Sequence, residues 1–251
     1  MILVQIQQID TAKILFQSAA NLATQLGKTF AVLSFADSDK LIETQKKVLN
    51  DLLPDIPIIF RYFKPGILSS ICEELEVSFL FIQLLEGKTK SIRAKLSDCR
   101  ELRIPYLFFK DSFKSLDLSK VILPIGFLEE ELEKAQFAAA FGRFCGSEIK
   151  MLLANDYGSK AATNAQKMKD LFDKFDFNYT VEKAEKDSFK VEVESIQVAE
   201  NYHAGIIIVS ASRDYGLDDI LFGPKEYHVV KKSTTPVLLV NPRGDLYALC
   251  N

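Results

Sequence analysis

Short apolar runs alternate along this chain with stretches of helical period, and halfway along the alternation starts again in the same order. Met1-Ile2-Leu3-Val4 is apolar, and Leu15, Ala19, Leu22 and Leu26 then fall on one face of a helix closed by Gly27. Phe30-Ala31-Val32-Leu33, Pro57-Ile58-Ile59-Phe60, Phe79-Leu80-Phe81-Ile82 and Ile104 to Phe109 supply four further strand-like runs. Between them lie a charged helical stretch from Leu41 to Leu53 and a helix carrying Ile67, Ile71 and Leu75. The second series runs Val121 to Ile125, Ile149 to Ala154, Tyr179 to Val181, Ile206 to Val209 and Pro236 to Val240. Its predicted helices carry Leu128 to Gly142, Met168 to Phe175 and Val193 to Ala199.

Two sets of five strand-like runs in one order constitute an internal repeat. Gly27 answers to Gly146, and Pro105 to Pro236. Asp111 to Lys120, with its serines and mixed charges, reads as a linker, so the expected domains are residues 1–112 and 119–243. Alternating strand and helix implies parallel strands with helices packed on them. Continuous apolar runs, rather than alternating ones, are what a parallel sheet buried on both faces requires.

The most specific segment is in the second half. Ile206-Ile207-Ile208-Val209-Ser210 runs through Arg213 to Gly223-Pro224-Lys225, and Thr235-Pro236-Val237-Leu238-Leu239-Val240 follows. It resembles the C-terminal half of a universal stress protein domain, in which a fourth strand enters G-x-x-G, nine residues and then G-[ST], before a helix and a T/C-P-V-L-V-V strand. The resemblance implies an α/β fold of two adenine-nucleotide-alpha-hydrolase-like, Rossmann-like domains, each a five-stranded parallel sheet in the order 3-2-1-4-5 with helices on both faces. It also implies that the fifth strands of the two halves pair antiparallel as an intramolecular pseudo-dimer, with further self-association left open.

In that family the glycines let backbone amides approach phosphate at a helix start. Here Ser210 and Arg213 stand at the first two glycines, Gly223 at the third, and Pro224 at the Ser/Thr. Pro224 has neither a hydroxyl nor a backbone N–H. The family's Asp after the first strand is also missing. Gln5 to Gln8 hold that place in the first half and Gly126-Phe127 in the second. Between strand four and its following proline the first half has one glycine, Gly87. The candidate ligand-binding positions of this degenerate loop are Gly126, Ser210, Arg213, Gly223, Pro224 and Lys225. The expectation is that ATP is not bound in the family's manner and that no cofactor is held. Arg213 and Lys225 leave open a different anion, with solvated surface charge as the plainer reading.

Other chemistry finds little support. The net charge is −3 and no basic run marks a nucleic-acid surface. The N-terminus lacks the pattern of a secretory signal, and no apolar run reaches the length that spans a bilayer. Four scattered cysteines, Cys72, Cys99, Cys145 and Cys250, read as reduced thiols, which with the rest points to the cytoplasm. His203 and His228 form no metal-ligand pattern and show no partner for general-base work. Glu129-Glu130-Glu131 reads as a solvated helix start. No P-loop, dinucleotide fingerprint or nucleophile elbow occurs. The sequence therefore points to a non-catalytic stress-response or regulatory protein acting through an unidentified protein partner. The alternative is a nucleotide- or anion-binding protein that uses the loop of the second half.

Overall fold

The computed structural model describes residues 1–85, 90–212 and 223–243 of the chain. The chain divides into two compact units, Met1–Ser115 and Leu116–Asn251.

In the first unit, β1 (Ile2–Ile6), β2 (Phe30–Phe35), β3 (Ile58–Arg61), β4 (Phe79–Leu84) and β5 (Tyr106–Lys110) alternate with α1 (Lys13–Gln25), α2 (Asp39–Leu52), α3 (Ile67–Glu74) and α4 (Lys90–Asp98). The strands lie in the order β3-β2-β1-β4-β5, and every neighbouring pair is parallel. All residues of β1, β4 and β5 are buried, as strands covered on both faces must be. Helix α1 buries Leu15, Phe16, Ala19, Leu22 and Ala23, the face that the period of its apolar residues marks. Ser38 caps α2, its hydroxyl accepting from the Leu41 N–H at 3.4 Å, with Asp39 in the first turn favoured by the helix dipole.

The second unit repeats the order. β6 (Lys120–Ile125), β7 (Glu148–Leu153), β8 (Tyr179–Lys183), β9 (Ile206–Ser210) and β10 (Val237–Val240) lie as β10-β9-β6-β7-β8, again all parallel. Helices α5 (Ala135–Cys145), α6 (Lys160–Lys174), α7 (Val191–Tyr202) and α8 (Lys225–Lys232) connect them. The registers of the two units correspond. An offset of 119 (from 2 to 121, and from 30 to 149) carries the Ile2–Phe30 pair onto Val121–Ile149. An offset of 127 (from 79 to 206) carries Phe79 of β4 onto Ile206 of β9, and therefore Gln83 onto Ser210.

One feature of the second unit departs from the sequence expectation and another from the pattern of the first unit. The stretch expected as one helix from Leu128 opens instead as a 3-10 turn, Glu129–Lys134, before α5 begins. A 3-10 turn eclipses residues three apart. It thereby superposes Glu131 on Lys134, which form an ion pair at 3.4 Å with both side chains buried. The reading of Glu129-Glu130-Glu131 as a solvated helix start is thus corrected at Glu131, which is 2% exposed. Second, the β6–β9 ladder holds only Val121–Ile206 and Ile122–Ile207, whereas β1–β4 pairs from Ile2 to Gln5. It stops two residues before Pro124, which has no N–H to give a ladder. The 3-10 turn packs against β9 as well.

Candidate functional site

In a doubly wound sheet of this order, a ligand crevice lies where the connections reverse, at the carboxyl ends of the first and fourth strands. In the second unit those ends are Gly126, just after β6, and Ser210, the last residue of β9. Charged side chains of the protein itself fill the space around them. The Glu131 carboxylate accepts the Gly126 N–H and pairs with the Lys134 ammonium. A Cβ on Gly126 would stand 2.9 Å from both Glu131 Oε1 and Ser188 Oγ, so the close approach needs glycine. Asn164 Nδ2 donates to the Gly126 carbonyl at 3.0 Å and to that of Leu128 at 2.9 Å. Ser188 Oγ accepts the Phe127 N–H at 2.9 Å and donates to Asp156.

Lys225, at the start of α8, reaches Glu192 of α7 at 3.0 Å. Glu226 accepts from Ser212 Oγ at 2.8 Å. Lys134, Glu192 and Glu226 are 0%, 4% and 0% exposed. Burial pushes the Glu192 carboxyl above the ordinary carboxylate range, against the pull of Lys225 and Lys134. Burial also works against the charge on Lys225. Its neighbours Glu192, Glu131 and Glu226 outweigh that penalty and hold the ammonium above the usual lysine range. The cluster thus sets three carboxylates against two ammoniums, in a region where uncompensated charge is costly.

The candidate loop positions are distributed around this cluster. Gly126 supplies a backbone donor that Glu131 already occupies. Gly223 is buried with φ +89°, a left-handed conformation that glycine adopts without strain. Pro224 is the N-cap of α8 and gives no side-chain cap. The Ser210 hydroxyl is buried and has no hydrogen-bond partner among the described residues. Arg213 lies outside the described residues. Lys225 belongs to an ion pair with a buried carboxylate rather than to a solvated surface, which corrects the plainer reading of its charge. The cluster residues Glu131, Lys134 and Glu192 carried no sequence signal, because charges on helices usually face water.

In the first unit the same crevice is built from amides. Gln83, the position equivalent to Ser210, accepts the N–H groups of Gln7 at 2.7 Å and Gln8 at 2.9 Å. It donates to the Gln8 carbonyl and to Thr11 Oγ1, both at 2.9 Å. Beside it a cavity of about 350 Å³ opens between the carboxyl ends of β1 and β2, the 62–66 loop and α4. Among the described residues no group of three or more His, Cys, Asp or Glu is arranged to hold a metal ion. No helix among them is long and apolar enough to cross a membrane.

No family model matches the sequence, and no curated protein matches it. Solved structures do. A universal stress protein from Archaeoglobus fulgidus DSM 4304 superposes with a TM-score of 0.73 at 15% identity, covering 97% of each chain. A putative universal stress protein from Pseudomonas aeruginosa UCBPP-PA14 gives a TM-score of 0.64 at 12% identity, covering 99% of this chain and 95% of the other. A functionally unknown protein from P. aeruginosa PAO1 gives 0.63 at 12% identity, covering 99% and 94%. The chain has the fold of these proteins along almost its whole length.

Proposed function

We propose that this chain is a two-domain universal stress protein that acts as a non-catalytic stress-response or regulatory protein through a protein partner, and that ATP is not bound in the family's manner. The observation that carries the reading is Glu131. Its carboxylate takes the Gly126 N–H and the Lys134 ammonium at the switch point, so the donors an external phosphate would use serve an internal anion. Pro224 at the start of α8 removes one more donor, and Glu192 occupies the ammonium of Lys225. Each charge-assisted hydrogen bond withheld from a ligand weakens it by about 1.5–3 kcal/mol. Two such losses move a micromolar site to millimolar or weaker.

Calorimetry of the full chain with ATP and Mg²⁺ tests this. The expected result is no saturable binding below about millimolar ATP. Low-micromolar binding that Gly223→Val abolishes would overturn it. One observation favours the alternative of a smaller anion in the second unit. The buried Ser210 hydroxyl has no partner among the described residues and remains free to donate. The same titration with inorganic phosphate, on the native chain and on Ser210→Ala, separates the two readings.

A further inference from the structure

We propose that the cavity of the first unit is a binding site for a small apolar monocarboxylate, whose carboxylate pairs with Lys95 and whose hydrocarbon part lies against Ile6, Leu68, Ile82 and Phe35. The cavity, about 350 Å³, falls at the lower end of the roughly 300–1,000 Å³ of small-molecule sites. Its inner wall comes from β1, β4 and the start of α3, where Ile6, Ile82 and Leu68 are buried. At the rim Phe63, 51% exposed, stands edge-on to Phe35 with the ring centroids 5.4 Å apart. An exposed aromatic held at a cavity mouth suits a hydrocarbon guest.

The polar end is set by Lys95 and Gln5. Lys95 lies on α4 between Ala94 and the buried Leu96, and its ammonium donates to Gln5 Oε1 at 3.2 Å. The orientation of that amide is fixed, because Gln5 Nε2 donates to the Ile6 carbonyl at 2.9 Å. A lysine ammonium has three donors. Among the described residues Gln5, a neutral group, is the one hydrogen-bond partner of Lys95, and no carboxylate lies within ion-pair distance. Asp98, three residues along α4, and the exposed Lys64 also line the cavity, so two ammoniums stand against one carboxylate and one positive charge is in surplus. A glutamate at position 5 would cancel it, and the chain has glutamine there. A surplus positive charge in a largely apolar recess calls for an anion with an apolar body.

The pH response follows from the groups around Lys95. Burial lowers its pKa to about 8, against the opposing effects of Cys99 and Asp98. Burial holds the Cys99 thiol well above its ordinary range and raises the Asp98 carboxyl. The bound form pairs protonated Lys95 with an ionised carboxylate, so affinity is level between the acid's own pKa of about 5 and that of Lys95, and falls about tenfold per unit above the latter.

Calorimetry of the full chain with octanoate, and with octanol as the uncharged probe, tests the site. At pH 7 octanoate is expected to bind at one site at least about tenfold more tightly than octanol. Lys95→Met and Gln5→Glu are each expected to weaken octanoate at least about tenfold while leaving octanol within about twofold. Gly223→Val, which probes the other unit, is expected to leave both unchanged. Thermal melts show whether each variant is folded. Equal affinity for the two probes, octanoate binding that survives both variants, or no octanoate binding up to about 5 mM by a folded chain overturns the proposal. ATP binding sensitive to Gly223→Val would overturn the proposed function alone and leave this site standing.

Discussion

Gln83 and Gln8 exchange a pair of hydrogen bonds: Gln83 Oε1 accepts the Gln8 N–H at 2.9 Å, and Gln83 Nε2 donates to the Gln8 carbonyl at 2.9 Å. The side chain thus imitates a neighbouring strand and extends the β1–β4 pairing past the end of β1. Gln83 is 1% exposed, so its own amide relies on these partners. Gln83→Leu leaves the amides of Gln7 and Gln8 and the Gln8 carbonyl to find other partners. A loss of about 2–4 kcal/mol of stability is expected. Urea denaturation measures it, and hydrogen exchange at Gln7 and Gln8 is expected to lose protection first. A stability change below about 1 kcal/mol would show that the loop is held by other means.

The architecture was far more legible than this site. Ten strands, parallel within their units, announce themselves as ten apolar runs, although β3 is half-buried and β8 is exposed after Tyr179, and Gly27 and Gly146 end their helices at φ +60° and +66° as their positions suggest. Gln83, by contrast, is one polar residue in the strand Phe79–Leu84, and only its partners, more than seventy positions away in sequence, reveal its task. Glu131 was misread for a related reason. Three glutamates at a helix start normally face water, and the 3-10 geometry that turns one of them inward depends on what it meets there. The loop at Ser210, Gly223 and Pro224 could be placed by its motif, but the substitutes that fill the crevice come from α7 and the 3-10 turn.

Lys95 gives a stability test that needs no ligand. Its pKa is lowered by burial to about 8 from an unfolded value of 10.5, so between those values the unfolded chain binds more protons than the folded one. Stability must then rise with pH across that window, because the folded state is relieved of a charge it holds poorly. The gain is about 1–3 kcal/mol, smaller the more water screens the ammonium. Other groups titrate in the same range, so the informative quantity is the difference between the native chain and Lys95→Met. The variant is expected to be more stable at pH 7, with the advantage shrinking by pH 10. A constant difference would place the Lys95 pKa near that of an ordinary lysine.

The Lys225–Glu192 pair makes a double-mutant cycle. Lys225→Met strands a carboxylate that is 4% exposed, at a cost of about 3–5 kcal/mol. Lys225→Met with Glu192→Leu removes both charges and is expected to recover most of that loss. The raised pKa of Glu192 adds a sign to the single variant. As pH falls through it, the stranded carboxylate takes a proton and the deficit shrinks. Additive effects in the cycle would mean that the two side chains do not interact.

Glu131 offers the sharpest test of the idea that the second unit carries its own anion. Glu131→Ala removes the acceptor of the Gly126 N–H and the partner of a fully buried Lys134 ammonium. A loss of about 3–5 kcal/mol is expected, as for breaking any buried pair from one side. The substitution also leaves a recess about the size of the lost carboxylate, lined by that N–H and that ammonium. A small free carboxylate can occupy it, and a ligand that binds only the folded state raises apparent stability. Acetate or formate at about 100 mM is therefore expected to raise the melting temperature of Glu131→Ala by several degrees beyond any change in the native chain, while chloride at equal ionic strength is not. Glu131→Gln, which keeps an acceptor for Gly126 but no charge for Lys134, is expected to lose less stability and to gain nothing from acetate. If Glu131→Ala is as stable as the native chain, or if acetate and chloride act alike on it, the carboxylate at this position is not standing in for an anion.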